Sequence, residues 1–323
     1  MLLTKGYGDM NNRYIDELVD RIHNKDRRSL AKAISIVEDR LDGMEELLNK
    51  AYAYANRKTA GLIIGVTGPG GAGKSTMIDK LISEFRKEGK TVGVIAVDPN
   101  SPYTGGAVLG DRVRMGVHNI DQKVFIRSLG NRGCIGGISE GTKNILYLFK
   151  NYEFDVIIVE SLGVGQDETE ITNFVDVTIV VLVPGFGDSI QMAKAGIQEI
   201  GDVFVVNKSD RPDAQLFTNQ LSGSFAALPI EKRPAIINAV ASEGKGINEL
   251  VAAIYDAAEK QIANKEVKAI RRIKSEIGSE VRQYLERIIR ETVESEAIRV
   301  SDNESTPFDV AKRIISQIEF KKL

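Results

Sequence analysis

Gly68-Pro69-Gly70-Gly71-Ala72-Gly73-Lys74-Ser75-Thr76 fits the phosphate-loop pattern G-x-x-x-x-G-K-[ST] at every defined position. Before it runs Leu62-Ile63-Ile64-Gly65-Val66-Thr67, short and apolar; after it Met77, Ile78, Leu81 and Ile82 recur at helical spacing. The motif therefore falls at a strand-to-helix turn, the setting in which it can grip phosphate. Glycines let the backbone N–H groups turn toward phosphate oxygens, and the start of the following helix adds partial positive charge. Gly70, Gly71, Ala72, Gly73, Lys74, Ser75 and Thr76 are the expected phosphate binders, with Lys74 reaching the outer phosphates and the Ser75 hydroxyl turned to Mg²⁺.

Downstream the pattern of short, β-branched apolar runs separated by helical segments continues, the signature of a parallel sheet with crossover helices. The runs predict strands at 62–67, 91–97, 123–127, 154–159, 176–183, 202–206 and 234–238. The fold class is α/β, a doubly wound, mostly parallel sheet. Ligands of such sheets lie beyond the carboxyl ends of the strands, so the residues just after each run are the ones to weigh.

Asp98 follows the second run and is a candidate to hold Mg²⁺ directly or through water; Asp111 is a second candidate farther along. Arg112 and Arg114 would either offset charge on a transferred phosphoryl group or make surface ion pairs. The segment Arg127–Gly137 reads as a flexible turn leading into a helix over 138–149, with Cys134 an inert thiol. Glu160 ends a buried apolar run, where a carboxylate would face Mg²⁺ or the attacking water. The glycine-hinged loop after it carries Gln166, which would orient water or serve only as a surface hydrogen-bonding group. Another glycine-bearing loop begins at Pro184, and Lys194 follows it. Asn207-Lys208-Ser209-Asp210 matches the N-K-x-D guanine reader: Asp210 can accept two hydrogen bonds from the guanine edge, Asn207 supports the ring, and the Lys208 stem covers its face. GTP is thus expected rather than ATP. The segment from Ala241 should close the base pocket.

Residues from about 11 to 56 are polar and helically periodic and should form a packing layer, with Ser29 capping the second helix and Asp42-Gly43 ending it. Beyond Gly246 the chain reads as helix, with segments near 265–297 and 307–318. The stripe Ile270, Ile273, Ile277, Val281, Leu285, Ile288, Ile289 would pair with a second subunit or fold back on its own domain. The chain divides into a helical arm over 1–60, a nucleotide-binding domain over 61–262 and a helical extension over 263–323.

The 323 residues carry a formal net charge of −2, which gives no global pull toward nucleic acid or anionic membrane. One cysteine excludes an internal disulfide or a cysteine-rich zinc module and fits a reducing compartment. No long apolar stretch marks a signal peptide or a bilayer span, so a cytoplasmic protein is expected, with no nucleic-acid or membrane partner.

Taken together, these motifs resemble the MeaB/ArgK-type P-loop GTPases of the SIMIBI class, the G-protein chaperones of adenosylcobalamin-dependent acyl-CoA mutases, a family that includes the methylmalonic aciduria type A protein. The likeness rests on the phosphate loop, Val97–Pro102 with Thr104–Gly106, Leu109–Arg112, Glu160–Gln166, Pro184–Asp188, Asn207–Asp210 and Thr306–Ala311. The resemblance implies a homodimeric, Mg²⁺-dependent GTPase that gates adenosylcobalamin loading and protects or reactivates a mutase such as methylmalonyl-CoA mutase. It places the Mg²⁺ site on Ser75, Asp98, Asp111 and Glu160, the catalytic groups on Lys74, Glu160, Gln166 and Lys194, and the guanine site on Asn207, Lys208, Asp210 and Ala241. It also makes the helical extension a dimerisation arm. Three departures stand out: Glu160-Ser161-Leu162-Gly163 replaces the usual Glu-Thr-Val-Gly, Ser128–Asn131 lacks the usual Pro and Ser residues, and Val240-Ala241 replaces Ser-Ala. None removes a catalytic group; they point to a divergent branch, whose client is either methylmalonyl-CoA mutase or a different cobalamin-dependent mutase. The alternatives are a nickel metallochaperone GTPase, disfavoured by only two histidines and one cysteine, a small-molecule or protein kinase, disfavoured by the guanine reader, and a scaffold without turnover.

Overall fold

The computed structural model describes residues 3–55, 61–98, 118, 120–130, 140–161, 171–185, 200–261, 265–301 and 305–317. Seven strands, β1 (Leu62–Thr67), β2 (Val92–Asp98), β3 (Val124–Gly130), β4 (Val156–Glu160), β5 (Val177–Leu182), β6 (Val203–Asn207) and β7 (Ala235–Ala239), make one sheet in the order β3-β2-β4-β1-β5-β6-β7. Every pairing is parallel. The carboxyl ends of all seven therefore lie along one edge, and β1 sits centrally between β4 and β5. Each predicted strand is present with its ends within two residues, except that β3 runs on through Gly130. Arg127, Ser128 and Leu129 are strand residues, not turn, because β3 stays in register with β2 from Val92↔Val124 to Asp98↔Gly130.

The helices are α1 (Leu3–His23), α2 (Arg27–Glu38), α3 (Met44–Ala55), α4 (Lys74–Lys87), α5 (Glu140–Tyr152), α6 (Ala214–Ser224), α7 (Ile247–Gln261), α8 (Lys265–Ser301) and α9 (Pro307–Gln317). Strand residues alternate between two faces. Ile64, Val66, Val94, Ile158, Ile179 and Val205 pack with Met77, Ile78 and Leu81 of α4 and Leu250 and Ile254 of α7. The opposite face meets two clusters. Val180, Leu182, Phe204 and Val206 pack with Phe217 and Leu221 of α6. Ile63, Ile95, Ile157 and Val159 pack with α5 and with α1, α2 and α3, whose Ile15, Leu30, Ile34 and Leu47 are buried in that same cluster. Helices on both faces make the sheet doubly wound.

Aromatic packing on β2 shows why that strand carries a glycine. A Cβ on Gly93 would come within 2.7 Å of the Phe149 and Phe154 rings, which themselves lie 5.4 Å apart between centroids. Behind them, Asn151 on α5 donates to the Ala51 carbonyl on α3 at 2.8 Å, and its side-chain oxygen lies 3.0 Å from His23 Nε2. Tyr152 donates to the Lys25 carbonyl at 2.7 Å.

The predicted cap of α2 needs correction. Asp26, not Ser29, is the N-cap: its carboxylate accepts from the amides of Arg28 and Ser29 and, at 2.6 Å, from the Ser29 hydroxyl. An ionised carboxylate can take all three donors at once, which a serine hydroxyl at that position could not.

The chain falls into two compact units, Met1–Lys265 and Glu266–Leu323. In the second, Val310 and Ile314 of α9 are buried and Arg313 is paired with Glu296 of α8. Ile270, Ile273, Ile277, Val281 and Tyr284 of α8 are exposed. Among the described residues no helix is long and apolar enough to cross a membrane.

Candidate nucleotide site

The phosphate loop leaves the end of β1, and α4 begins at Lys74 with Gly73 as its N-cap in the left-handed region, φ 91°. Among the described residues no side chain caps this helix, so none of them claims its first amides. Gly73 is required twice over: its φ suits glycine, and a Cβ there would stand 2.4 Å from Asn207 Nδ2. Lys74 is buried and folds back over the loop, donating to the carbonyls of Gly68 at 2.8 Å and Pro69 at 3.3 Å.

Ser75, one residue into α4, donates its hydroxyl to Glu160 Oε1 at 3.0 Å. Glu160 closes β4, is only 4% exposed, and lies beside Val66 in the sheet register. Sequence reasoning named both residues; the parallel pairing of β1 with β4 is what brings them together. A hydroxyl and a carboxylate oxygen at the mouth of a phosphate loop suit a hard cation such as Mg²⁺, which takes few protein ligands and completes its shell with phosphate and water. No group of three or more His, Cys, Asp or Glu that could hold a metal ion by itself occurs among the described residues. Asp98 ends β2, opposite Gly130, on the same edge of the sheet. Asp111, Arg112, Arg114, Cys134, Gln166 and Lys194 lie outside the described residues.

The N-K-x-D segment leaves β6 two strands away. Asn207 is buried, and both ends of its amide bind backbone: Nδ2 donates to the Ala72 carbonyl at 2.7 Å, and Oδ1 accepts from the Ala241 amide at 3.1 Å. It thus ties the phosphate loop to the segment after β7. Lys208, at φ 56°, donates from Nζ to the Gly71 carbonyl at 3.0 Å, so its stem spans from the reader to the phosphate loop. Asp210 is exposed, with its carboxylate accessible. Lys245 lies near it and is held charged to higher pH than an ordinary lysine, first by its hydrogen bond to Glu243 and also by the charge of Asp210. Lys74, Ser75, Glu160, Asn207, Lys208 and Ala241 are gathered on one edge by strand ends that are distant in sequence.

Two contacts were not anticipated from the sequence. Arg211, just past the reader, donates to the Pro184 carbonyl at 3.1 Å and links it to the chain leaving β5. Ser161 donates its hydroxyl to Thr67 Oγ1 at 2.8 Å. Only the strand register, which no local pattern encodes, places Ser161 next to Thr67. A cleft of about 400 Å³ between α1 and α2, bordered by Tyr14, Arg21 and Lys32, holds none of the predicted site residues.

A family model described as methylmalonyl-CoA mutase-associated GTPase MeaB matches residues 30–297. A Pyrococcus horikoshii protein named as a GTPase is 40% identical over 319 residues, spanning 94% of this chain and 98% of its own length. The GTPase ArgK of Escherichia coli is 35% identical, over 76% of this chain and 77% of its own. The crystal structure of a LAO/AO transport system kinase superposes with a TM-score of 0.66 at 25% identity, covering 94% of this chain and 96% of that one. With the phosphate loop and the guanine reader on one edge of a parallel sheet, the chain is a P-loop GTPase and belongs to the MeaB family.

Proposed function

We propose that this GTPase uses Mg²⁺-dependent GTP binding and hydrolysis to gate the loading of adenosylcobalamin into an acyl-CoA mutase and to protect or reactivate that enzyme. The observation that carries the reading is the family match over residues 30–297, whose description names association with methylmalonyl-CoA mutase. The site chemistry supports the nucleotide half of it. Lys74 exchanges its two carbonyl acceptors for the outer phosphate oxygens, a charge-assisted and therefore stronger bond. Ser75 and Glu160, with Asp98 and Asp111, hold Mg²⁺, which when bound neutralises charge on the phosphates. Asp210 reads the guanine edge, while Asn207 and Lys208 brace the phosphate loop against the base site. Gln166 and Lys194 complete the catalytic set, and slow turnover without a partner is expected where part of the machinery is supplied by the client. The exposed stripe on α8 serves a homodimer.

The test is GTP hydrolysis, with ATP as control, measured with and without each adenosylcobalamin-dependent acyl-CoA mutase of the source organism, with Lys74→Ala as the blank. Stimulation by one mutase supports the chaperone reading and identifies the client. Turnover that stays flat with every such mutase overturns it.

A further inference from the structure

The chain leaves the sheet at two neighbouring points that matter to the site: past Thr67 into the phosphate loop, and past Glu160 at the end of β4. The last backbone bond between these strands runs from the Ser161 amide to the Val66 carbonyl at 3.0 Å. Immediately beyond it the Ser161 hydroxyl donates to Thr67 Oγ1 at 2.8 Å, with Ser161 1% and Thr67 0% exposed. Side chains alternate along a strand. Val66 and Ile158 face α4, so Glu160 turns the same way to reach Ser75, and Thr67 and Ser161 turn to the opposite face. The strand pair is thus gripped from both sides at its outlet, by the Ser75–Glu160 bond on one face and the Thr67–Ser161 bond on the other.

We propose that Thr67 and Ser161 are positioning residues for the cation site: their buried hydroxyl pair fixes the backbone that carries Glu160 relative to the phosphate loop. The inference rests on the reading of Ser75 and Glu160 as Mg²⁺ ligands. A cation that demands near-ideal octahedral geometry tolerates little drift between a ligand on α4 and one on β4. Removing either hydroxyl leaves the other buried without this partner, and the strand outlet relaxes.

The test follows release of a fluorescent GDP analogue from the full-length protein, chased with unlabelled GDP, across a Mg²⁺ titration and in EDTA. Ser161→Ala and Thr67→Val should each raise the Mg²⁺ concentration that half-protects GDP by roughly threefold to tenfold, the scale of one lost buried hydrogen bond. Ser161→Thr and Thr67→Ser should stay close to the parent protein, and release in EDTA should be the same for all. Ser75→Ala and Glu160→Gln serve as reference variants. If they shift the Mg²⁺ requirement and Ser161→Ala and Thr67→Val do not, the positioning role fails alone. If the reference variants also leave it unchanged, the cation reading itself fails. Faster release in EDTA by the same factor as in Mg²⁺ would make the pair a general prop of the loop and overturn the inference. Because the two deletions approach one bond from opposite strands, loss of folding in either, checked by thermal melting, leaves the other to decide.

Discussion

Asn207 and Asp210 sit three residues apart in one motif, yet they do different physical work. Asn207 is buried and commits one amide N–H and its side-chain oxygen to backbone, while the second N–H of that amide can still support a base. Asn207→Ala should therefore act first on stability, leaving a buried carbonyl and a buried amide without these partners, at a cost of about 2–3 kcal/mol in urea denaturation. Asp210 is exposed and should act on specificity. Asp210→Asn replaces one acceptor by a donor, so GTP affinity should fall about a hundredfold or more, while xanthosine triphosphate, which offers a carbonyl where guanine has an amino group, should gain. Competition binding with the two nucleotides measures both effects. The motif was legible in the sequence, but the two backbone bonds of Asn207 were not. Asn207 meets Ala72 and Ala241 only because β6 lies between β5 and β7 on the edge where the phosphate loop turns. The Ser161–Thr67 pair was hidden for the same reason, since a serine after a carboxylate carries no local signal until β1 and β4 are placed side by side.

Individual elements were the most legible part of the chain, because buried parallel strands read as uninterrupted apolar runs and need no partner to be recognised. Their ends were less so. The expectation of a turn at 127–130 followed from its polar and glycine residues, but pairing with β2 held the backbone extended to Gly130. At α2 the expected cap, Ser29, lies inside the helix, and the carboxylate of Asp26 caps it instead. Asp26→Ala should lower stability by about 1 kcal/mol, read as a shift of the denaturation midpoint. Three aspartates at element ends also set an acid response. The Ser29 hydroxyl holds the Asp26 carboxyl below the usual value of 3.8, the Arg86 guanidinium does so at Asp121, and the Thr91 amide does so at Asp155. For each, the folded-state value is the lower one, so its contribution is complete above the ordinary aspartate range and disappears as pH falls below about 4 through the depressed values. The denaturation midpoint should drop over that window, and Asp121→Asn should flatten part of the drop while costing stability at neutral pH.

At the scale of the molecule, α8 exposes Ile270, Ile273, Ile277, Val281 and Tyr284 at spacings of three and four, the pattern of a helix seam. Ile277 is 58% exposed. If the stripe joins two copies, Ile277→Glu should weaken self-association at least about tenfold, seen by light scattering across a dilution series, because burying a charge in an apolar seam is costly. Nucleotide binding to the isolated subunit should survive the change. The all-parallel sheet imposes an order of a different kind. Among the described residues no strand of the site has a hairpin partner: Leu62 of β1 pairs with Val156, and Ile64 with Val177. The strand that launches the phosphate loop therefore has no neighbour until the chain has been made through β4, and no second one until β5. During synthesis on the ribosome the apolar β1 must wait unpaired while about half of the protein emerges, which slows folding and makes the nascent chain a ready substrate for general chaperones. A GTPase proposed to tend another enzyme would, on this account, itself need tending before it can hold its first nucleotide.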